Sequence, residues 1–220
     1  MPDLNFSVKG VEPAAHGLVP LLLFQLEVSN KPADETIQSA IVQAQIQFQC
    51  PQRAYSSAEK EKLGDLFGTP ERWGQTLRNR LWTHANISVG QFCGLTEARL
   101  SVPCTFDLNV SAAKYFNALE EGEVPLLFLF SGTVFYSAQD GRLQVQRISH
   151  EKECGWRMPV RVWRELMDHH WPNTAWITLQ RDVFERLCEF KRRNGLTTWE
   201  QTVERLLEDK EEIEEGALLE

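Results

Sequence analysis

Val124-Pro125-Leu126-Leu127-Phe128-Leu129-Phe130-Ser131-Gly132-Thr133-Val134-Phe135 decides the fold of this chain. Proline has no N–H to give to a ladder and is tolerated where a strand begins. The run behind it is too short to span a membrane and too apolar for a surface. Upstream, Val19-Pro20-Leu21-Leu22-Leu23-Phe24 opens in the same way. Both segments therefore read as central strands in similar environments.

Working outward, residues 4–11 alternate Leu4, Phe6 and Val8 with Asn5, Ser7 and Lys9, the period of a half-buried strand. A second strand over 21–28 closes in loop residues 29–34. From Ile37 onward Val42, Ala44, Ile46 and Phe48 alternate with Gln43, Gln45 and Gln47, which predicts a sheet with one wet face. Ser56-Ser57-Ala58-Glu59 is a helix start, Gly68 a stop, and Pro70 a second start with Trp73, Leu77, Arg80 and Leu81 at helical spacing. Residues 56–82 are thus expected to form a helical insertion. Strands over 83–92 and 96–110 should follow, the second marked by Val102-Pro103 as an edge or a bulge. Ser111 reads as the N-cap of a short helix stopping at Gly122, and Asp140-Gly141 as a hairpin turn returning Leu143, Val145 and Arg147 onto the preceding strand.

After residue 157 the period becomes helical. One helix carries Val160, Trp163, Leu166 and Met167 and ends at Trp171-Pro172. A second, from Arg181, carries Val183, Phe184, Leu187, Cys188 and Phe190 and stops at Asn194-Gly195. A third opens with Thr197-Thr198-Trp199-Glu200 as its capping box, with Val203, Leu206 and Leu207 facing the core and a fraying end beyond Glu208. The expectation is an α+β protein: an antiparallel β-sandwich over 1–157 with a helical insertion near 56–82, and C-terminal helices over 158–220 packed on it, with an acidic tail over 208–220.

With 220 residues, 42% apolar and 25% charged, the composition is that of a globular chain able to bury a core. Most of the net charge of −8 sits in residues 200–220, where nine acids oppose Arg205 and Lys210. The nearly neutral remainder has no basic stripe, which argues against nucleic acid as a partner. Five scattered cysteines are odd in number and form no disulfide framework, and the N-terminus has no leader pattern. A soluble, cytoplasmic protein away from the membrane is expected.

The stretches Asp65-Leu66-Phe67-Gly68-Thr69-Pro70-Glu71-Arg72-Trp73-Gly74, Val102-Pro103-Cys104-Thr105-Phe106-Asp107 and the strand quoted first resemble a bacterial family catalogued as a domain of unknown function. The resemblance covers nearly the whole chain. It implies no assigned activity and no catalytic residue, only an association with gene neighbourhoods of uptake nickel–iron hydrogenases.

Among chemistry-bearing residues, His150-Glu151-Lys152-Glu153-Cys154 imitates the i, i+4 spacing of a zinc-binding helix, and His169-His170 could add a ligand. The alternative for this stretch is a plain strand-to-helix connector. Glu59-Lys60-Glu61 and Glu120-Glu121-Gly122-Glu123 read as solvated turns, and Ser131-Gly132 lacks the pattern of a nucleophile elbow. Arg72-Trp73, Trp82, Trp156-Arg157 and Trp163 combine the residue types enriched at interaction hot spots, against the alternative that each Trp is core with its Arg outward. The preferred expectation is a non-enzymatic protein-interaction or accessory/assembly protein of a bacterial complex, with no cofactor and an unidentified protein partner. The alternatives are a metal-handling protein or metalloenzyme using His150, Cys154 and His169 or His170, and a small-molecule binder.

Overall fold

A computed structural model describes residues 1–14, 16–105, 110–138, 141–174 and 177–217, with side chains described up to residue 209. The chain divides into two units, Met1–Thr174 and Ala175–Glu220.

The first unit is built on two antiparallel sheets. Sheet A has the order β1 (Asp3–Pro13), β2 (Leu21–Lys31), β6 (Leu95–Pro103). Sheet B is centred on β3 (Thr36–Phe48) and β7 (Glu123–Ser137). Beyond β3 lie β4 (Arg80–Val89) and, further along, β5 (Phe92–Cys93). Beyond β7 lie β8 (Leu143–Arg147) and then β9 (Glu153–Pro159). The sheets face each other through Phe6 stacked on Phe130 at 4.3 Å and Phe24 edge-on to Phe128 at 5.2 Å. This is the expected α+β fold with antiparallel strands and helical insertions.

Both proline-led runs are central strands, β2 in sheet A and β7 in sheet B. Their prolines do the same job. Pro20 O accepts from Cys104 N at 2.9 Å, just past β6, and Pro125 O accepts from Gln49 N at 2.9 Å, just past β3. Each proline thus sits where the neighbouring ladder ends, its carbonyl receiving the last amide and its missing N–H costing no bond. Pro103 ends the edge strand β6, as the Val-Pro step predicts.

The helical insertion is shorter than expected. Helices α1 (Ser57–Lys62), α2 (Gly64–Phe67) and α3 (Trp73–Thr76) occupy it, and Arg80, Leu81 and Trp82 already belong to β4. Arg80 pairs with Phe48 and Leu81 with Gln47, so the cross-strand partner overrides the helical spacing. The strand expected over 96–110 ends at Pro103; Val110 instead opens α4 (Val110–Ala118), and residues 106–109 lie outside the described ones. That helix stops four residues short of Gly122, whose φ of 82° serves the turn into β7. The hairpin residues Gln139 and Asp140 also lie outside the described residues, although β8 pairs back on β7 as expected.

The stretch 150–154, whose alternative reading is a strand-to-helix connector, instead runs into the strand β9 over Glu153–Pro159. Sheet B needs it because β7 is 15 residues long and β8 covers only its second half. The two short strands are divided at Gly132, where Ile148 N donates to Gly132 O at 3.0 Å and Phe130 N to Lys152 O at 2.8 Å. The expected domain boundary at residue 157 therefore falls inside a strand, and helix α5 (Val160–His170) belongs to the first unit.

The second unit contains α6 (Arg181–Arg193) and α7 (Trp199–Ala217). The capping box of α7 is one residue later than expected: Gln201 N donates to Thr198 Oγ1 at 3.2 Å, and Gln201 Oε1 accepts from Thr198 N at 3.4 Å. Backbone helix continues to Ala217 where fraying was expected. No helix among the described residues is long and apolar enough to cross a membrane.

Gly132 is a place where only glycine fits. Its φ is +144°, and a Cβ there would lie 2.1 Å from Ile41 O in the adjoining strand. Gly132→Ala is expected to lower the unfolding free energy by about 2–5 kcal/mol in urea titration, combining backbone strain with forced separation of β3 and β7. An unshifted midpoint would show that these strands do not approach so closely.

Candidate functional site

The most developed polar site lies where α1 meets the connection from α4 to β7. It is an open cleft of about 870 Å³ lined by Arg53, Ser56, Glu59, Lys62, Glu120 and Arg164, among others. Glu59 is placed by its own local chemistry. As the third residue of α1 it completes the capping box with Ser56, whose Oγ accepts from Glu59 N at 3.1 Å. Arg53 has no comparable local motif; it follows the 3-10 turn Cys50–Gln52, and the topology brings it to Glu59.

The pair is bidentate and buried, with Arg53 Nη1 to Glu59 Oε2 at 2.8 Å and Nη2 to Oε1 at 2.9 Å. Arg53 also donates to the carbonyls of Glu123 (3.1 Å), Ala54 (3.2 Å) and Glu121. All five guanidinium N–H groups are thus engaged. Glu59 is equally saturated, accepting from Ser56 N at 3.0 Å and Glu120 N at 2.8 Å in addition to Arg53. Burial pushes the Glu59 carboxyl up, but Arg53 and the two amides outweigh it and hold the group down at about 2. On Arg53, burial works against the charge and Glu59 again prevails, so its pKa is raised.

A carboxylate held that far below neutrality is no general acid or base, and a guanidinium without a spare N–H has nothing to offer a ligand. The pair acts as a latch. It fixes residues 119–123, and with them the entry of β7, to the start of α1; Arg164 Nη2 on α5 closes the same connection by donating to Leu119 O at 2.6 Å. The sequence reading of Glu59 as part of a solvated turn is corrected here: Glu59 is buried and takes the Glu120 amide, whereas Glu121, Gly122 and Glu123 are exposed as read, the carbonyls of Glu121 and Glu123 turned to Arg53. At the rim Lys62 and the Glu120 carboxylate, 3.1 Å apart, form an exposed pair.

Tyr55, Tyr115 and Cys50 lie beneath the latch. Tyr55 donates to Cys50 O at 2.9 Å, so the 2.8 Å contact between the two hydroxyls is donated by Tyr115. Burial pushes both phenols up, and the Cys50 thiol up to about 11. All three are neutral near pH 7, and the thiol is no nucleophile.

The residues read as metal ligands are distributed over different elements. His150 is exposed in the turn between β8 and β9, while Cys154 lies within β9 opposite Phe128. Burial pushes the Cys154 thiol up, partly offset by a backbone hydrogen bond at Val8, so the thiol stays protonated near neutrality. His169 and His170 end α5 and contact each other edge-on at 5.2 Å. Among the described residues no group of three or more His, Cys, Asp or Glu side chains is arranged to hold a metal ion.

The residues read as hot spots divide by type. Trp73, Trp82 and Trp163 are core residues: Trp73 donates to Gly68 O at 2.9 Å, Trp82 stacks on Phe48 at 5.2 Å, and Trp163 stacks on Phe116 at 4.2 Å. Trp156 is half-buried and edge-on to Phe24 at 5.9 Å. Arg72 and Arg157 face outward. This correction has the physical reason given by the alternative reading: the indole fills the core and its neighbouring guanidinium reaches water.

The apolar surface lies elsewhere. In the second unit Val183, Phe184, Trp199, Val203, Leu206 and Leu207 are exposed, Phe184 to 45% and Leu207 to 57%, although the sequence pattern faces Val203, Leu206 and Leu207 to the core. α6 has no buried residue. The amphipathic period was legible; what covers it was not.

Glu59→Gln is expected to destabilise the protein by about 3–5 kcal/mol, because it leaves Arg53 buried without its counter-charge, whereas the double replacement Arg53→Met with Glu59→Leu should cost much less. The folded-state pKa lies below the ordinary 4.5, so the stabilisation is present above pH 4.5 and is lost as pH falls toward about 2. Chemical denaturation across that window should show the loss in the wild type and a reduced slope in Glu59→Gln. Equal slopes would remove Glu59 as the group responsible.

Comparison with known proteins gives a family but no activity. No curated protein matches. A β-glucosidase from Kluyveromyces marxianus is similar at 13% identity and a TM-score of 0.25, over 72% of this chain and 15% of that one. A putative ApaA protein from Bordetella pertussis is similar at 11% identity and a TM-score of 0.24, over 72% of this chain and 95% of that one. The family model that matches does so across residues 1–215, and this chain belongs to that family, one of unknown function designated DUF6084.

Proposed function

We propose that this chain is a non-enzymatic protein-interaction protein, an accessory or assembly factor of a larger bacterial complex, and that α6 and α7 are its docking element. The observation that supports this is the exposed apolar stripe of the second unit. On α6 it runs through the exposed Val183 and Phe184 and the half-buried Leu187 and Phe190, and on α7 through the exposed Trp199, Val203, Leu206 and Leu207, each repeating at the three- and four-residue intervals by which amphipathic helices are recognised. A 13-residue helix without a buried side chain gains little from propensity alone and needs a surface to lie on. The body, by contrast, spends its buried polar groups on its own architecture, as the Arg53–Glu59 pair illustrates.

The test is affinity purification of the tagged full chain from a native host, beside the double variant Phe184→Asp with Leu206→Asp. Hydrogenase subunits are among the proteins to look for, following the neighbourhood that the family resemblance implies. Loss of two anchors worth about 2 kcal/mol each should weaken partner binding by more than about a hundredfold. A stoichiometric partner retained by the wild type and lost by the variant, with the melting of the body unchanged, is the expected result. Equal recovery by both proteins removes α6 and α7 from the docking role.

A further inference from the structure

The charges that flank the apolar stripe restrict what can lie on it. α6 carries Arg181, Arg186, Lys191, Arg192 and Arg193 against Asp182, Glu185 and Glu189, while the described part of α7 carries Glu200, Glu204, Glu208 and Asp209 against Arg205. Part of this is satisfied within each helix: Glu189 pairs with Arg192 and Arg193, and Arg205 with Glu208 and Asp209. Lys191 lies over the Trp199 ring at 5.6 Å and donates to Thr197 O at 2.8 Å. Asp182 stands in the first turn of α6, where the helix dipole favours it, and Glu185 lies one turn further on. Among the described residues, Arg181, Arg186, Asp182 and Glu185 on α6 and Glu200 and Glu204 on α7 are in no ion pair. One helix thus offers net positive charge beside its apolar face, and the described part of the other net negative charge beside its own.

A surface of that kind is complementary to itself. In a two-fold interface the same patch is used by both copies, so α6 of one meets α7 of the other twice over, and each encounter joins apolar stripe to apolar stripe and cations to carboxylates. Two helix pairs brought together in this way make a four-helix bundle, a small unit that closes its own core. A helix pair of 46 residues is too short to bury a core unaided, and association is a common remedy at that size. We infer that the occupant of the apolar face of α6 and α7 is a second copy of this chain, and that the protein is a dimer through these two helices.

This rests on the reading of α6 and α7 as a docking element and names its occupant. The experiment measures the mass of the full chain in solution at tens-of-micromolar concentration by light scattering, for the wild type and two charge variants. The first variant, Arg181→Glu with Arg186→Glu, makes both helices acidic. The second, Glu200→Arg with Glu204→Arg, makes residues 199–209 of α7 basic, as α6 already is. The wild type is expected to be a dimer, each variant alone to dissociate at least about tenfold more readily, and an equimolar mixture of the two to regain the dimer mass. Mixing rescue has no source other than contact between copies, and it also shows that the variants are folded. A monomeric wild type overturns the inference, as does a mixture that stays monomeric.

The outcomes separate from those of the purification experiment. A monomer whose Phe184→Asp, Leu206→Asp variant still loses a host partner overturns the dimer and leaves docking in place. A charge-rescued dimer that retains no host partner supports the dimer and removes the accessory role.

Discussion

Trp82 is the contact on which the body depends. Sheet A has three strands and sheet B is wider, so part of the inner face of sheet B has no strand opposite it. That part carries Phe48 and Trp82, and what faces them is helical: Tyr115 and Phe116 from α4, with Trp163 from α5. Trp82 touches Phe24 of sheet A, Phe48 of sheet B, Phe116 and Trp163, at centroid distances between 5.2 and 6.4 Å. It is therefore a joint between both sheets and both helices. Each large side chain buried there contributes roughly 1.5–3 kcal/mol, with edge and stacking geometry adding to it. Trp163 Nε1 is buried among the described residues without an acceptor, which costs about 1–3 kcal/mol and is tolerated because the ring stacks on Phe116.

The helices that close the sandwich must be held at fixed places, and this explains the polar latch. α4 leads into β7 through residues 119–123, a connection with few apolar side chains of its own. Arg53 and Arg164 grip its carbonyls, and Glu59 takes its amide at Glu120. A buried ion pair gives little net stability compared with apolar groups of the same shape, but it is directional. Here direction is what is required, since the start of β7 sets the register of the central pair in sheet B.

How much of this was legible depended on the range of the interaction. Pro20 and Pro125 announced their strands because a missing N–H is a local property, and Ser56 with Glu59 announced a helix start because a capping box spans four residues. Gln43, Gln45 and Gln47 marked the wet face of β3 for the same reason, a period that any short window contains. Arg80 to Trp82 were misread as helix because their strand character comes from Phe48 and Gln47, far away in sequence. β9 was missed because its pattern, Glu153 to Pro159, acquires meaning only beside the uncovered half of β7. The Arg53–Glu59 pair had one legible member, Glu59, and even that was read for its cap and not for its burial.

The second unit reverses the logic of the first. In the body, groups that look reactive in the sequence are already committed: Glu59 to Arg53, Tyr115 to Tyr55, Cys154 to the interior. In α6 and α7 the side chains that ordinarily make a core are the ones in water. A folded chain holds exposed Phe and Leu at helical spacing only at a cost in solvation, roughly 25 cal/mol for each Å² of apolar surface left uncovered. Within the pair Phe184 meets Trp199 at 5.4 Å and Leu187 and Phe190 are half-buried, yet Val183, Val203, Leu206 and Leu207 stay exposed. That uncovered surface, beside helices of opposite net charge, is what the proposed docking through α6 and α7 would remove.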